Sequence, residues 1–558
     1  MSTRPRTQSM DREVEQSRNW WQAGVVYQIY PRSFGDANGD GDGDLAGIVD
    51  HLDHLGPEGL DVDAIWLSPI YRSPFRDGGY DVSDHAAVDP RFGSEADFDL
   101  LVSEAHARGI RIVLDLVLNH TSIEHSWFVA SRSAPRGPYG DFYLWRDAAG
   151  VDRRGQPRPP NNWQSVFGGP GWQWDPIRGQ FYQHTFLVEQ PELNWRAPAV
   201  ERAQLEMIRG WLDRGVDGFR LDVFNAFLKD PQLRSNPRRR GDSPWTRQRH
   251  IHDRDQPDLD ALLGRFRELM DAQPGRMSVG ELFDGPIERA VELSTDRHLV
   301  FDWELLDQPW SGPAVGRAID RREAAFGPRR WPTVVLSNHD QPRHVSRLAE
   351  SAGIADTDAV ARAAAILLLA LRGTPFLYYG EEIGMGNVEI PPDESVDPPT
   401  RRDDGVTWWD RSRCRTPMPW RDGPGAGFTA GRPWLRLAAD ASTRNVAAQR
   451  ADPESVLNCY RRILAARRAS PALYGGNFER LATSDGDVLC WRRRAGDEEA
   501  LVVLNCADRP AVVSIGSTRS HVARAVVGTH LDPPDVFAQA GRLRLRPMEG
   551  TIAIGSVG

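Results

Sequence analysis

Short runs of apolar residues recur along the chain, each ending in a polar or charged residue. They are GVVYQIYPRSF (24–34), DAIWLSPI (63–70), GIRIVLDLVLNH (109–120), VDGFRLDVF (216–224), MSVGELF (277–283), HLVFDWELL (298–306), TVVLSNHD (333–340) and TPFLYYGEEIGM (374–385). Their cores are apolar throughout rather than alternating, as in strands of a parallel sheet covered on both faces. Amphipathic stretches lie between them, among them SEADFDLLVSEAHARG (94–109) and AVERAQLEMIRGWLDRG (199–215). Eight strands alternating with helices predict an α/β fold, a (β/α)8 TIM barrel with right-handed crossovers.

Two spacings depart from a plain barrel. The stretch from 121 to 197 is rich in Gly, Pro and Trp and too long for a structureless loop. It predicts a small domain inserted after the third strand. A second insertion, 386–432, carries many Pro and Arg. After about 470 the texture changes to short alternating runs, DVLCWRRRA, ALVVLNCA, AVVSIG, RLRLRPM and TIAIGS, which read as antiparallel strands. The expected layout is barrel over 1–118 with a disordered lead at 1–18, inserted domain over 119–192, barrel again over 193–470, and a C-terminal β-sandwich over 471–558.

Composition narrows the partners. The chain has 558 residues, 40% hydrophobic and 26% charged, as in globular proteins. Its net charge of −10 argues against nucleic acid or an anionic membrane as partner. AAAILLLAL (363–371) is too short to span a bilayer, and the polar N-terminus has no signal-peptide core. The four cysteines, Cys414, Cys459, Cys490 and Cys506, form no CxxC pair, so a cytoplasmic location without a disulfide scaffold is expected. The 19 Trp exceed the usual share. Most pack cores, but aromatic faces also suit the apolar C–H faces of sugar rings.

The chemistry sits at the strand ends. Asp222 closes GVDGFRLDVFN two residues after Arg220, Glu281 lies in SVGELF, Asp340 follows His339 in SNHD, and IVLDLVLNH delivers Asp115, Asn119 and His120. One Asp at a strand end is ordinarily an ion-pair partner or a helix cap. Three separated acids at the C-terminal ends of barrel strands, with an Arg and two His, are the toolkit of glycoside cleavage by nucleophile and acid.

These strings resemble the α-amylase family of glycoside hydrolases, family 13, and within it the bacterial α-glucosidase and oligo-1,6-glucosidase branch. DLVLNH, DGFRLDVFN, GELF and SNHD carry the resemblance, supported by VVYQIYPRSF, IWLSPIYRSP, GYDVSDH, QPELNW, FLYYGEEIGM and RTPMPW, over roughly residues 20–470. It implies a retaining enzyme with Asp222 as nucleophile, Glu281 as general acid/base and Asp340 as transition-state stabiliser. Arg220, on the same strand face, is expected to lower the pKa of Asp222. The apolar neighbours Val279, Leu282 and Phe283 suit an acid that must arrive protonated. His120 and His339 are expected to bond sugar hydroxyls. Asp81 in GGYDVSDH and Arg415 in CRTPMPW resemble the pair that closes the pocket on its non-reducing side, and Phe167 and Phe186 resemble its aromatic walls. Such a pocket implies release of terminal glucose from small α-glucosides such as maltose, isomaltose or sucrose, by a monomer or homodimer.

The segment DANGDGDGD (36–44) alternates acid or amide with Gly. Asp36, Asn38, Asp40, Asp42 and Asp44 are spaced to turn oxygen ligands inward, and the first six positions match an EF-hand loop. The twelfth, Gly47, departs from it. The segment resembles the divalent-ion loop of this branch, which implies a structural Ca2+ or Mg2+. Val223 after the nucleophile leans toward α-1,6 cleavage within the branch. Competing readings are a transglucosylase or sucrose/maltose isomerase on the same site, an endo-acting amylase, and a non-catalytic barrel of the kind that accompanies amino-acid transporters. The intact acids and the lack of an anchor speak against the last.

Overall fold

The computed structural model describes residues 19–294, 298–398, 409–515, 523–534 and 542–556. The lead at 1–18 and part of the second insertion, 399–408, lie outside the described residues.

Eight strands form one parallel sheet: β1 (Val26–Ile29), β2 (Ala64–Leu67), β3 (Arg111–Leu116), β4 (Gly218–Leu221), β5 (Met277–Gly280), β6 (Leu299–Val300), β7 (Thr333–Val335) and β8 (Thr374–Tyr378). Each falls within one of the eight apolar runs. Their order is β6-β5-β4-β3-β2-β1-β8-β7, so chain neighbours are sheet neighbours except at β6 and β7, and β8 returns to β1. Between β6 and β7 the Thr333 hydroxyl bridges the seam, donating to Val300 O at 3.3 Å and accepting the Asp302 N–H at 3.0 Å.

The two-residue period of a strand sorts the side chains. Ala64 and Trp66 join Val26, Val113, Met277, Val279 and Phe376 in one cluster, whereas Ile65 and Leu67 pack into the larger core shared with the helices. The predicted helices form at Glu95–Ala107, capped by Ser94 and Asp97 in a capping box, and at Pro198–Asp213, opened by a proline. AAAILLLAL belongs to the helix Thr357–Ala370, which is apolar nearly all round because it is buried on all sides. Among the described residues, no helix is long and apolar enough to cross a membrane.

The inserted segment leaves and rejoins the barrel side by side: His120 and Glu192 form an antiparallel bridge. Within it Trp145–Arg146, Gln180–Gln183 and Trp172–Asp175 make a small antiparallel sheet over stacked Trp163 and Trp172. The C-terminal sheet is antiparallel: β9 (Asn477–Leu481), β10 (Val488–Ala495), β11 (Glu498–Asn505), β12 (Ala523–Gly528) and β13 (Gly550–Ser556), in the order β9-β10-β11-β13-β12. A separate pair joins Ala511–Val513 to Leu543–Leu545. Trp491 Nε1 and Arg493 Nη1 of β10 both donate to Ala370 O, at 3.2 and 3.0 Å, and so dock this sheet on the last turn of the buried helix. All four cysteines are buried and free.

Candidate active site

Arg220 organises the site. It is 1% exposed at the end of β4. Its Nη1 donates to Asp115 Oδ1 and to Asp222 Oδ1, both at 2.7 Å, and its Nη2 pairs with Glu281 Oε2. One guanidinium therefore holds acids delivered by β3, β4 and β5. Asp115 is fixed further by Tyr80 Oη at 2.9 Å and Trp66 Nε1 at 3.3 Å. Glu281 continues the β5 ladder, its N–H donating to Leu221 O at 2.8 Å. Gly280 is required before it, since a Cβ there would meet the Phe224 ring at 2.5 Å. Val223 follows Asp222 with φ of 37°, a strained conformation for a β-branched residue.

Asp340, after β7, faces these acids across the cavity. Arg415 Nη2 and Arg411 Nη1 reach its Oδ1 at 2.8 and 3.2 Å, and His339 Nε2 lies 3.1 Å from Oδ2. The cavity is about 280 Å3, at the small end of small-molecule sites. Asp222, Glu281, Asp340, His120, Phe167 and Phe186 all line it. Arg220, His339 and Arg415 lie behind the wall and hold the residues that form it. His339 Nε2 is turned on Tyr80 Oη at 2.5 Å as well as on Asp340, which corrects the expectation that it bonds sugar directly.

A second correction concerns Asp81 and Arg415, which do not pair. The Asp81 carboxylate accepts the N–H groups of Arg76 and Asp77 and the Ser73 hydroxyl, each at 3.0 Å, and it does not reach the cavity. It ties the loop; it does not close the pocket. The pair of the expected kind is Asp77 with Arg411, at 2.7 Å, both lining the cavity. Arg411 also bonds Asp397 at 2.6 Å and lies over the Phe167 ring, and Asp77 accepts Gln190 Nε2 at 3.0 Å. Sequence reasoning missed Asp77, Tyr80, Gln190 and Arg411. The two acids of DGGYD and the arginines of RSRCR are alternatives that spacing alone does not separate.

The electrostatics are those of acids crowded around shared cations. Burial raises the Asp222 carboxyl well above the ordinary range; Arg220 pulls it back, while Glu281, Asp115 and Asp340 push it up again. The expected pull of Arg220 is present, but burial outweighs it. Burial likewise brings Asp115 to about 6 against the pull of Arg220. The cluster therefore shares protons as a unit. Asp340 differs. Burial opposes its ionisation, yet His339, Arg411, Arg415 and Arg220 prevail and hold it well below the usual range. Burial drives His339 to about 3, so it is uncharged at neutral pH. His120, at about 4 through burial, is also neutral.

In the loop at 36–44, Asp36 accepts the N–H groups of Gly39 and Gly41, and Asn38 and Asp40 close the turns that follow. Asp44 caps the helix Leu45–Asp50 through Gly47 N–H at 2.6 Å. Asp42 is paired through Oδ1 with Arg32 at 2.5 Å. Among the described residues, no three His, Cys, Asp or Glu side chains converge as a metal cluster. Each carboxylate has about four lone-pair sites, so the turn bonds leave Asp36 and Asp40 oxygens for a hard cation, whereas Asp44 also accepts the Ala37 and Asn38 N–H groups.

A barrel that gathers Asp222, Glu281 and Asp340 around one cavity at the C-terminal ends of its strands has the layout of a glycoside hydrolase. The family described as alpha amylase, catalytic domain, matches residues 28–476, and the chain belongs to it. A probable α-glucosidase of Rhizobium meliloti (strain 1021) is 42% identical over 527 residues, 91% of this chain and 93% of that one. The oligo-1,6-glucosidase of Parageobacillus thermoglucosidasius is 35% identical, with 96% and 99% covered. The solved structure of the α-glucosyl transfer enzyme XgtA superposes with a TM-score of 0.88 at 41% identity, covering 97% of this chain and all of that one. With this membership, and with Asp222, Glu281 and Asp340 all present at the cavity, the chain is a glycoside hydrolase rather than a non-catalytic barrel.

Proposed function

We propose that this protein is a retaining, exo-acting α-glucosidase that releases glucose from short α-glucosides, α-1,4- or α-1,6-linked, in the cytoplasm as a monomer or homodimer. The observation that carries the reading is the sharing of one buried guanidinium by Asp222 and Glu281 beside a small cavity lined by the Asp77–Arg411 pair. Two carboxylates held this close suit double displacement. Asp222 attacks the anomeric carbon while Glu281 protonates the departing glycosidic oxygen. Glu281, now a base, then takes a proton from water, which displaces Asp222 and restores both groups. The low pKa of Asp340 supports its role as a fixed negative charge beside the developing oxocarbenium ion. Asp77 and Arg411 are assigned to the hydroxyls of the terminal glucose, with His120 beside them and Phe167 and Phe186 as apolar walls.

Val223 at the cavity wall supports α-1,6 cleavage as part of the range. Ca2+ or Mg2+ held by Asp36, Asn38, Asp40 and Asp44 would add stability, and no chemical step uses it. The likeness to the α-glucosyl transfer enzyme XgtA favours glucosyl transfer as a second outcome of the same glycosyl-enzyme. Incubation with maltose, isomaltose and sucrose, with products followed by NMR, tests the reading. Release of α-glucose as first product supports hydrolysis with retention, new disaccharides support transfer, and β-glucose as first product refutes retention.

A further inference from the structure

Glu381 takes no part in the site described above, yet it holds both ends of the segment that bears Asp340. After β7 the chain carries Asn338, Asp340 and Gln341 to the cavity wall before the helix His344–Ala352 begins. Glu381 lies behind that wall, in the short turn after β8, and is 1% exposed. Its Oε1 accepts the Ser337 hydroxyl and Nδ1 of His344, the latter at 3.2 Å. Ser337 Oγ and His344 Nδ1 are themselves 3.3 Å apart, and both residues are buried. One carboxylate oxygen thus ties the residue three places before Asp340 to the residue four places after it.

A carboxylate this deep is costly unless hydrogen-bonded, and apolar residues of similar volume often replace buried charges without loss of stability. Packing alone therefore gives little reason for Glu381. Its charge also lies at the N-terminus of the helix that starts at His344, where the dipole favours an anion. Other restraints on the segment act on its middle: Arg415 Nε donates to His339 O at 2.7 Å, the Asp340 N–H donates to Asn338 Oδ1 at 2.8 Å, and Arg411 and Arg415 hold the Asp340 carboxylate itself, whereas Glu381 binds the two ends.

We propose that Glu381 is a positioning residue for glucoside cleavage: by clasping Ser337 and His344 it sets where the Asp340 carboxylate stands in the cavity. The inference rests on the activity proposed above. Since Asp340 acts on the transition state, a displaced Asp340 costs kcat more than substrate binding.

The test compares wild type, Glu381→Gln and Ser337→Ala on an aryl α-glucoside and on isomaltose. Functional sites are counted with a fluorinated glucoside that traps the glycosyl-enzyme. Glu381→Gln is expected to lower kcat per trapped site by ~10–100-fold while KM moves less than ~3-fold, the mark of an interaction made in the transition state. Ser337→Ala should show a smaller loss of the same kind, and the double variant should lose less than the product of the two. A purely structural role would lower the melting temperature and the number of sites but leave kcat per site unchanged, and that result overturns the proposal. Should Glu381→Gln fail to fold, Ser337→Ala decides, because it removes one bond and adds no buried charge; wild-type kcat per site in that variant also overturns it. A wild type that cleaves neither substrate refutes the proposed activity itself, whereas an active wild type matched by its variants refutes only the role of Glu381.

Discussion

Arg411 Nη2 and Asp77 Oδ1 lie 2.7 Å apart, although 334 residues separate them in the chain. The guanidinium also bonds Asp397 and Asp340, so it joins the loop after β2, the second insertion and the end of β7 at one wall of the cavity. Removing Asp77 would leave Arg411 held by Asp397 and Asp340 alone and take one carboxylate from the place assigned to the first sugar. Asp77→Ala should raise KM and lower kcat together, for a loss of ~100-fold in kcat/KM, about 2.7 kcal/mol of transition-state stabilisation. Asp81→Ala should instead act on stability, because its carboxylate bonds backbone N–H groups of the loop. Steady-state kinetics and thermal melts of both variants check the assignment. The reverse pattern would restore Asp81 as the subsite residue.

Asp222→Asn should reduce turnover by roughly four orders of magnitude or more, since no neighbouring carboxylate replaces the covalent bond to the anomeric carbon. Circular dichroism should show an unchanged fold. A purified variant free of wild type that keeps about a tenth of the activity would falsify the assignment.

Glu281→Gln should depend on the leaving group. Loss should be greatest on disaccharides, whose departing alkoxide needs a proton, and least on activated aryl glucosides. Added azide should speed the variant by replacing the base-assisted water in the second step. Equal losses on all substrates, with no azide effect, would reduce Glu281 to a sugar-positioning role.

Chelation should lower the melting temperature by roughly 2 °C with little change in initial rate, because an ion held ~100-fold above its Kd adds ~2.7 kcal/mol to the native state. Asp36→Ala should remove the response to chelator. Asp42→Ala should leave it intact, since that carboxylate pairs with Arg32. An unchanged melt at every chelator concentration would eliminate the ion.

Burial lowers His51, His85 and His120 to about 4 and His125 and His339 to about 3. Between the folded values and the ordinary value of about 6.5, the unfolded chain binds more protons at these sites, so each makes stability rise with pH across that window and add nothing further above it. His85 does not line the cavity, and its Nε2 is bonded to Val117 O at 2.8 Å. His85→Gln should flatten the pH dependence of unfolding between about pH 4.5 and 6 by up to ~1.4 kcal/mol per unit, one proton. Denaturant titrations across that range measure it; an unaltered slope would mean that His85 is protonated in the folded protein.

Much of the architecture was legible in the chain. The eight apolar runs contain the eight barrel strands because hydrogen bonding along a buried parallel strand needs only an apolar stretch of the right length. Asp222 two residues after Arg220 announces a shared strand face, since side chains alternate with a strict period, and the two do bond at 2.7 Å. The seam at β6 and β7 was not legible, because a hydroxyl rather than a ladder bridges it. Nor were β9 and β12, whose patterns are too polar or too short to stand apart from their surroundings.

Strand periodicity by itself determined which acids stand together at the barrel mouth. Tertiary structure alone decided which loop acid meets which loop arginine. Asp77 and Asp81 stand four residues apart in a turn, as do Arg411 and Arg415 across the Cys414 turn, and each member is a plausible partner by spacing. A loop has no fixed period, so the direction of each side chain is set by where the backbone groups fall. Here the N–H groups of Arg76 and Asp77 capture Asp81, and His339 O captures Arg415. Asp77 and Arg411 are left to pair with each other at the cavity wall.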